Sequence, residues 1–385
     1  MNEQWYYLQG STPTGPVDTA ALTHLIQTNQ LAPAVLVARL GSPNWLSASE
    51  AFHMASPTLP HVGVIGSARS GIERIAGTKK LQGFSLSEMF SEVFKHRTAE
   101  ELDDYFIVGT YRTTPRLQDV PTGWPKPWFF WRVLTLFGSA YLAILFAYVQ
   151  FGTSTLIPGL EMFGALVIPL TLVFLFFELN VPRNVSFPQV LMLMCSGGVL
   201  SVGLSLVGYQ FSNLGWLGAS AAGIIEEIGK IAAVYLVLRK KQYNYILNGL
   251  LLGAAVGAGF AAIESAGYIY TARDGNSAAD FVNITTLRAV GNLFNHIVWT
   301  AIASAALLRA KGTQILKPGI LLNSSFLAAF SIPVGLHMLW NSPIPDFFNL
   351  KTLILGVVGW YVVFGFVQQG LAQVDSCKRD LERVS

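Results

Sequence analysis

Charge is what this sequence has least of: Asp, Glu, Lys and Arg make up 12% of its 385 residues, where a soluble domain carries about 25%. Hydrophobic residues reach 52%, which excludes an ordinary soluble protein and leaves a polytopic membrane protein. A formal net charge of +3 is too small to suggest a nucleic-acid partner. Two cysteines, Cys195 and Cys377, make no disulfide framework. No basic-then-apolar signal peptide opens the chain, so the first 127 residues are expected in the cytoplasm. The HExxH pattern of many zinc proteases is missing too.

What is there is unevenly spread, with nearly everything after Trp128 apolar. Stretches of about 20 apolar residues read as membrane-spanning helices. Eight are expected, at 129–150, 158–178, 188–209, 215–238, 245–270, 285–308, 318–341 and 350–372. The fold class is therefore a mainly α helical membrane bundle behind a small α+β domain. Lys and Arg mark cytoplasmic loops. They fall before the first span (Arg112, Arg116, Lys126) and in every second loop: Arg183; Arg239, Lys240 and Lys241; Arg309, Lys311 and Lys317. The tail adds Lys378, Arg379 and Arg383, whereas loops 151–157, 210–214 and 342–349 have neither residue. Only Arg273, offset by Asp274 and Asp280, dissents. Both termini are expected in the cytoplasm.

Ahead of the membrane, Trp5-Tyr6-Tyr7, Gly15-Pro16 and Trp45 suit a unit of short strands with a helix near Thr19–Thr28. Residues 1–55 resemble a GYF-like domain on Trp5, Tyr6, Gly15, Pro16 and Trp45. The resemblance implies binding of a proline-rich or partner peptide; those aromatics also serve as the core of so small a domain. Residues 56–127 follow as an amphipathic-helix region and linker. Ser85 with Glu88 and Thr98 with Glu101 have capping-box spacing, and Met89, Phe90, Val93 and Phe94 would form an apolar stripe packing on the membrane or a neighbouring domain. Pro115, Pro121 and Pro125 make Thr113–Lys126 a stiff linker. The membrane domain is set at 128–373 and a cytoplasmic tail at 374–385.

Inside the spans, charge is expensive, on the order of 3 kcal/mol at the bilayer centre. Yet Glu226, Glu227 and Lys230 stand in the fourth span, Glu264 in the fifth, His296 in the sixth and His337 in the seventh. At about 100° per residue, Ala219, Gly223, Glu226 and Lys230 share one face. Gly249, Gly253, Gly257, Phe260 and Glu264 share another, where small residues admit a neighbouring backbone. Ala289, Asn292, Asn295, His296, Trp299 and Thr300 form a third polar sector, and Phe326, Phe330, Pro333, His337 and Asn341 a fourth. Counted along the helices, the acids and imidazoles lie roughly 6–17 Å below the outer surface, a depth at which they can converge. Glu178-x-Asn180 closes the second span and reads as a cap or anchor.

Glu226-Glu227-x-x-Lys230, Phe260-x-x-x-Glu264, Asn295-His296 and His337-x-x-x-Asn341 resemble, in family order, the motifs of PrsW-type intramembrane proteases. That group is allied to the CAAX prenyl proteases and bacteriocin-processing enzymes. The resemblance covers about 158–345. It departs from the CAAX branch at Glu264 (histidine there) and Lys230 (a spaced arginine there), which argues against a prenylated substrate. It implies an endopeptidase in a bacterial cytoplasmic membrane, cutting a membrane-anchored protein or peptide. By the same resemblance Glu226 activates water, Glu227 shares that role or pairs with Lys230, and Glu264, His296, His337 and Asn341 complete the catalytic set. Lys230, Phe260 and Asn295 support it.

The chemistry these residues allow is peptide hydrolysis, because a carboxylate in an apolar cavity resists ionising and can serve as a base near neutral pH. Two forms stay open: metal-free catalysis, which the missing HExxH favours, and zinc held by Glu264, His296, His337 and one acid of the pair. Two other functions compete. Buried Glu and His also build proton-coupled transporters, although no matching halves are evident. The third function is a non-catalytic membrane adaptor, which the full motif set disfavours.

Overall fold

The computed structural model describes residues 3–9, 12–28, 30–32, 35–52, 64–239, 243–273 and 277–384. Lys240, Lys241, Asp274 and the expected boundary at 55/56 lie outside these. The chain divides into two compact units, residues 1–68 and 69–385.

The first unit is a four-stranded antiparallel sheet of order β2-β1-β3-β4. Its strands are β1 (Gln4–Gln9), β2 (Thr12–Asp18), β3 (Leu36–Arg39) and β4 (Leu46–Ser47). Helix α1 (Thr19–Gln27) starts where the Asp18 side chain accepts from the Ala21 N–H at 2.7 Å, and α2 (Ala48–Ala51) follows β4. Trp5, Leu22, Ile26, Val37 and Ala48 fill the core. Trp5 donates its indole N–H to Thr19 Oγ1 at 3.0 Å, so this aromatic holds the domain together. Tyr6 and Trp45 are half-buried, and Gly15 and Pro16 are exposed.

The second unit opens within α3 (Val64–Ala76), a helix that patterning did not anticipate. Arg69 donates to the Tyr361 hydroxyl at 2.8 Å and to Glu73 at 3.1 Å. Next come α4 (Leu86–Met89), capped by Ser85, and α5 (Ala99–Tyr105), where Thr98 and Glu101 form the full capping box. The expected stripe is only partly realised. Met89 and Val93 are buried, but Phe94 is 85% exposed, because α4 ends at Met89 and the helical period stops with it. The proline-containing linker is not a free spacer. Val120 is buried and its carbonyl accepts from Lys378 at 2.8 Å, while Trp124 donates to the Gln82 carbonyl at 3.0 Å.

The bundle comprises α6 (Phe129–Phe151), α7 (Ile157–Leu179), α8 (Phe187–Phe211), α9 (Ala221–Leu238), α10 (Ile246–Arg273), α11 (Ala278–Gly291), α12 (His296–Lys311), α13 (Ser324–Trp340) and α14 (Leu350–Val384). Each of the eight expected spans overlaps at least one of these helices, the fourth after a 3-10 turn at Gly215–Ser220 and the sixth in two pieces. Among the described residues, six stretches are long and apolar enough to cross a membrane: Phe129–Phe151, Ser154–Leu179, Phe187–Phe211, Ile246–Arg273, Ala278–Lys311 and Phe347–Arg383. The two expected spans outside this set are α13, which is short at 17 residues, and α9, which carries the three charges Glu226, Glu227 and Lys230. Helix α14 also continues past the expected 350–372, so residues 374–384 extend it.

The sixth span is broken rather than continuous. Helix α11 stops at Gly291 and α12 starts at His296, with Asn295 in a non-helical conformation. Ala289 and Asn292 therefore do not share a helix face with His296, as a continuous period would require. Gly291 weakens the helix there, and the freed backbone is recaptured locally: Trp360 donates to the Leu293 carbonyl at 3.0 Å.

Two close approaches position the site. A Cβ at Gly257 of α10 would fall 2.6 Å from the His296 carbonyl, and one at Gly223 of α9 would fall 2.6 Å from the Met338 backbone N. Bare glycine surfaces thus let α12 and α13 bring their histidines against α10 and α9. Glu178 is indeed a cap, but of a neighbour: its carboxylate accepts from the Trp128, Phe129 and Phe130 N–H groups at 2.6, 2.8 and 2.9 Å, closing the start of α6.

Candidate functional site

Helix α9 carries its three charges where one helical turn presents them together. Lys230 is fully buried and Glu227 is 1% exposed, an arrangement that stands only if each charge is paired. Lys230 Nζ donates to Glu227 Oε1 at 2.6 Å and sits 4.5 Å from the Phe260 ring centre. It also meets His296 Nδ1 at 2.9 Å. An ammonium only donates, so His296 Nδ1 accepts and its Nε2–H points to Glu264 Oε2 at 2.8 Å. Glu264 is also held by Arg288 Nη2 at 2.5 Å.

His337 is pinned from the other side. Its Nδ1 meets Glu227 Oε1 at 2.8 Å; a carboxylate accepts, so Nδ1 carries the proton and Nε2 is left as a lone pair. That lone pair faces Glu226 Oε2 across 3.8 Å, too far for a direct hydrogen bond. Glu226 Oε1 accepts from the Tyr209 hydroxyl at 2.9 Å, whereas Glu226 Oε2 has no hydrogen-bond partner among the described residues. Trp299 stacks on His337 with ring centres 4.5 Å apart. A chain of contacts thus links Arg288, Glu264, His296, Lys230, Glu227, His337, Glu226 and Tyr209 across α8 to α13, interrupted only at the Glu226–His337 gap.

The structure therefore brings together Glu226, Glu227, Lys230, Phe260, Glu264, His296 and His337. Asn295 stands beside them, its amide donating to Asn292 Oδ1 at 3.4 Å. Asn341 does not join. It caps α13 through its backbone N–H on the His337 carbonyl at 3.1 Å, and its side chain bonds none of the described residues. Two participants, Arg288 and Tyr209, were not singled out from sequence. Arg288 had a visible signal, as the only Lys or Arg between Arg273 and Arg309. Tyr209 ends an expected span beside a loop, a position that marks no partner, whereas Trp299 was placed on the polar sector of the sixth span without a role of its own.

The donors fit a metal as well as a proton relay. Glu226, His296 and His337 each offer a ligand atom, all within 4.8 Å of one another. Glu226 Oε2 and His337 Nε2 are free to ligate; both nitrogens of His296 are engaged, so its ligation requires release of Lys230 or Glu264. Of the four ligands considered from sequence, Glu264 falls outside this group and is instead the ion-pair partner of Arg288 and His296.

Compared with known families, residues 159–367, more than half of the chain, match the PrsW family intramembrane metalloproteases, and residues 5–51 match GYF domain 2. The chain belongs to the PrsW family. It is an integral membrane peptidase with an N-terminal GYF domain, and the family is described as one of intramembrane metalloproteases. No curated protein and no solved structure matches it.

Proposed function

We propose that this PrsW-family chain is an endopeptidase that hydrolyses a peptide bond of a membrane-anchored protein or peptide at the gap between Glu226 and His337. The observation that carries this reading is Glu226 Oε2, without a hydrogen-bond partner among the described residues and 3.8 Å from a histidine lone pair in a buried, ion-paired cluster. A water in that gap gives its proton to Glu226 as its oxygen bonds the substrate carbonyl carbon, and the proton passes to the amine nitrogen as the C–N bond breaks. Glu227 and Lys230 hold the two imidazoles in register, Tyr209 steadies Glu226, and Arg288 holds Glu264 against His296. Asn341 keeps a place in this reading only as the residue that ends the His337 helix.

A second reading is favoured by the grouping of three ligand atoms within 4.8 Å: zinc held by Glu226, His296 and His337. One carboxylate and two imidazoles leave it an open fourth position. In that form Glu226 is a ligand rather than the base, and His296 is released from Lys230 or Glu264. Bound there the metal would polarise water and the substrate carbonyl. The contact from Glu227 to His337 Nδ1 is the kind of outer support such ligands need. Purified protein is expected to hold close to one zinc per chain by elemental analysis, and His337→Gln to lose most of it. Full peptidase activity after exhaustive chelation would remove the metal from this reading.

The loop charges support both termini on the cytoplasmic side of a bacterial cytoplasmic membrane. Reporter fusions at Gly152 and Asn349 are expected to read outside and one at Lys311 inside; cytoplasmic signals at Gly152 and Asn349 would reverse the orientation. The GYF domain supports peptide recruitment, with the exposed Gly15 and Pro16 and the half-buried Tyr6 and Trp45 as its contact face.

A further inference from the structure

Beside the buried cluster is a cavity of about 520 Å³, within the roughly 300–1,000 Å³ typical of ligand sites. Its walls come from α11, from the break before α12, and from the start of α14, with Trp340 at the end of α13. Leu287, Phe294, Trp340 and Leu353 make most of it apolar, and Arg288 and Asn295 are its polar members nearest the cluster. Two links tie the cavity to the histidines. Arg288 bonds Glu264, which bonds His296. Trp340 meets Trp299 edge-on at 5.8 Å, and Trp299 stacks on His337.

The polar members are incompletely used. Arg288 Nε, a donor, and Asn295 Oδ1, an acceptor, are buried and have no hydrogen-bond partner among the described residues. Leaving either unpaired is unfavourable, and such groups persist in native proteins where something else satisfies them. One unused donor and one unused acceptor, on two side chains that line this mostly apolar cavity, are the complement of a peptide group, which offers a C=O and an N–H. A helical segment cannot use them, because its own C=O and N–H groups already bond each other. An extended segment can.

We propose that this cavity is the subsite for an unwound, apolar stretch of the substrate chain. Arg288 receives a backbone carbonyl there and Asn295 a backbone N–H, while the apolar walls take a leucine- or phenylalanine-like side chain. Arg288 Nε and Asn295 Oδ1 are covered by protein in the resting structure, so occupancy requires each side chain to turn about its outer torsions toward the cavity it lines. The inference rests on the peptidase reading of the neighbouring cluster and adds to it what the site recognises: an unwound backbone. Arg288 and Asn295 would thereby become specificity-determining residues.

The test is a binding measurement on full-length Glu226→Gln protein in lipid nanodiscs, which does not depend on turnover. The probe is a fluorescent, acetylated and amidated pentapeptide of leucine and phenylalanine, together with analogues in which one internal amide at a time is an ester and so lacks its N–H. Saturable binding is expected, weakened about tenfold in at least one ester analogue, since that leaves the Asn295 acceptor unpaired again. In Asn295→Leu the amide and that ester should bind alike. Gly291→Phe, which places a ring in the cavity, should abolish binding; its unfolding temperature reports whether it folds, and if it does not, the ester series decides alone. No saturable binding, equal binding of all amides and esters, or undiminished binding by folded Gly291→Phe each overturns the subsite. Failure of the peptidase reading looks different: ester-sensitive binding to a parent protein that cuts no peptide.

Discussion

Glu226→Gln is expected to reduce peptide hydrolysis by about 10²–10⁴-fold, the usual effect of removing a general base, without unfolding the bundle. Glutamine keeps an oxygen for the Tyr209 hydroxyl, now at 2.9 Å from Glu226 Oε1, and keeps the side-chain volume. What it loses is the carboxylate whose second oxygen is unbonded and faces His337 Nε2. The companion variant Glu227→Gln, and with it the double Gln variant, is less clean because Glu227 Oε1 receives both Lys230 and His337, so its loss of activity would mix chemistry with disrupted packing. The assay is cleavage of a reconstituted membrane-anchored substrate, with thermal unfolding as the control for folding. A well-folded Glu226→Gln protein cutting at the parental rate would defeat this mechanism. Proton flux abolished by the same substitution, in a protein never seen to cut, would move the function to a proton-coupled transporter. Removal of the GYF domain, which shares no residue with the cluster, should alter recruitment of the substrate and leave the chemistry of cleavage intact.

Much of this arrangement was legible in the sequence because intramembrane charge is costly. Glu226, Glu227, Lys230, Glu264, His296 and His337 were recognisable as a set since nothing but mutual pairing lets them persist in apolar helices. The glycines of α10 were legible for a similar reason: small residues at helical spacing serve close packing, and Gly257 does meet α12. Apolar patterning records burial but not continuity, so the break between Gly291 and His296 went unread, although it decides that His296 opens a helix. Partner choice is equally invisible to periodicity. Glu178 was identifiable as a cap, but that it caps α6 depends on how helices pack. Tyr209 looks like any interfacial tyrosine until Glu226 lies beneath it. Asn341 misled in the opposite way: four residues after His337 it lies on the same face by period, yet α13 ends there and its side chain bonds none of the described residues.

Lys230→Met is expected to destabilise the bundle more than any other substitution in the site. Lys230 is fully buried and faces a carboxylate with less than one-tenth exposure, and its Nζ also fixes the tautomer of His296. Removing the cation leaves Glu227 as a buried charge whose remaining partner is His337, and breaking a buried pair from one side costs about 3–5 kcal/mol. The matching double replacement, Lys230→Met with Glu227→Gln, removes the unpaired charge as well as its partner. Replacing both ends of such a pair by groups of similar volume is often neutral or stabilising, so the double variant should recover most of the unfolding temperature lost by the single one. Activity should not return with it. His337 would lose the charged acceptor that holds Nδ1–H and aims its lone pair at Glu226, and His296 would be free to flip. The measurement is thermal unfolding and cleavage on parent, single and double variants in one lipid environment. A double variant no more stable than Lys230→Met would show that the pair is not coupled. A double variant as active as the parent would show that Glu227 and Lys230 do not orient the histidines, and the assignment of these two residues to positioning would fall.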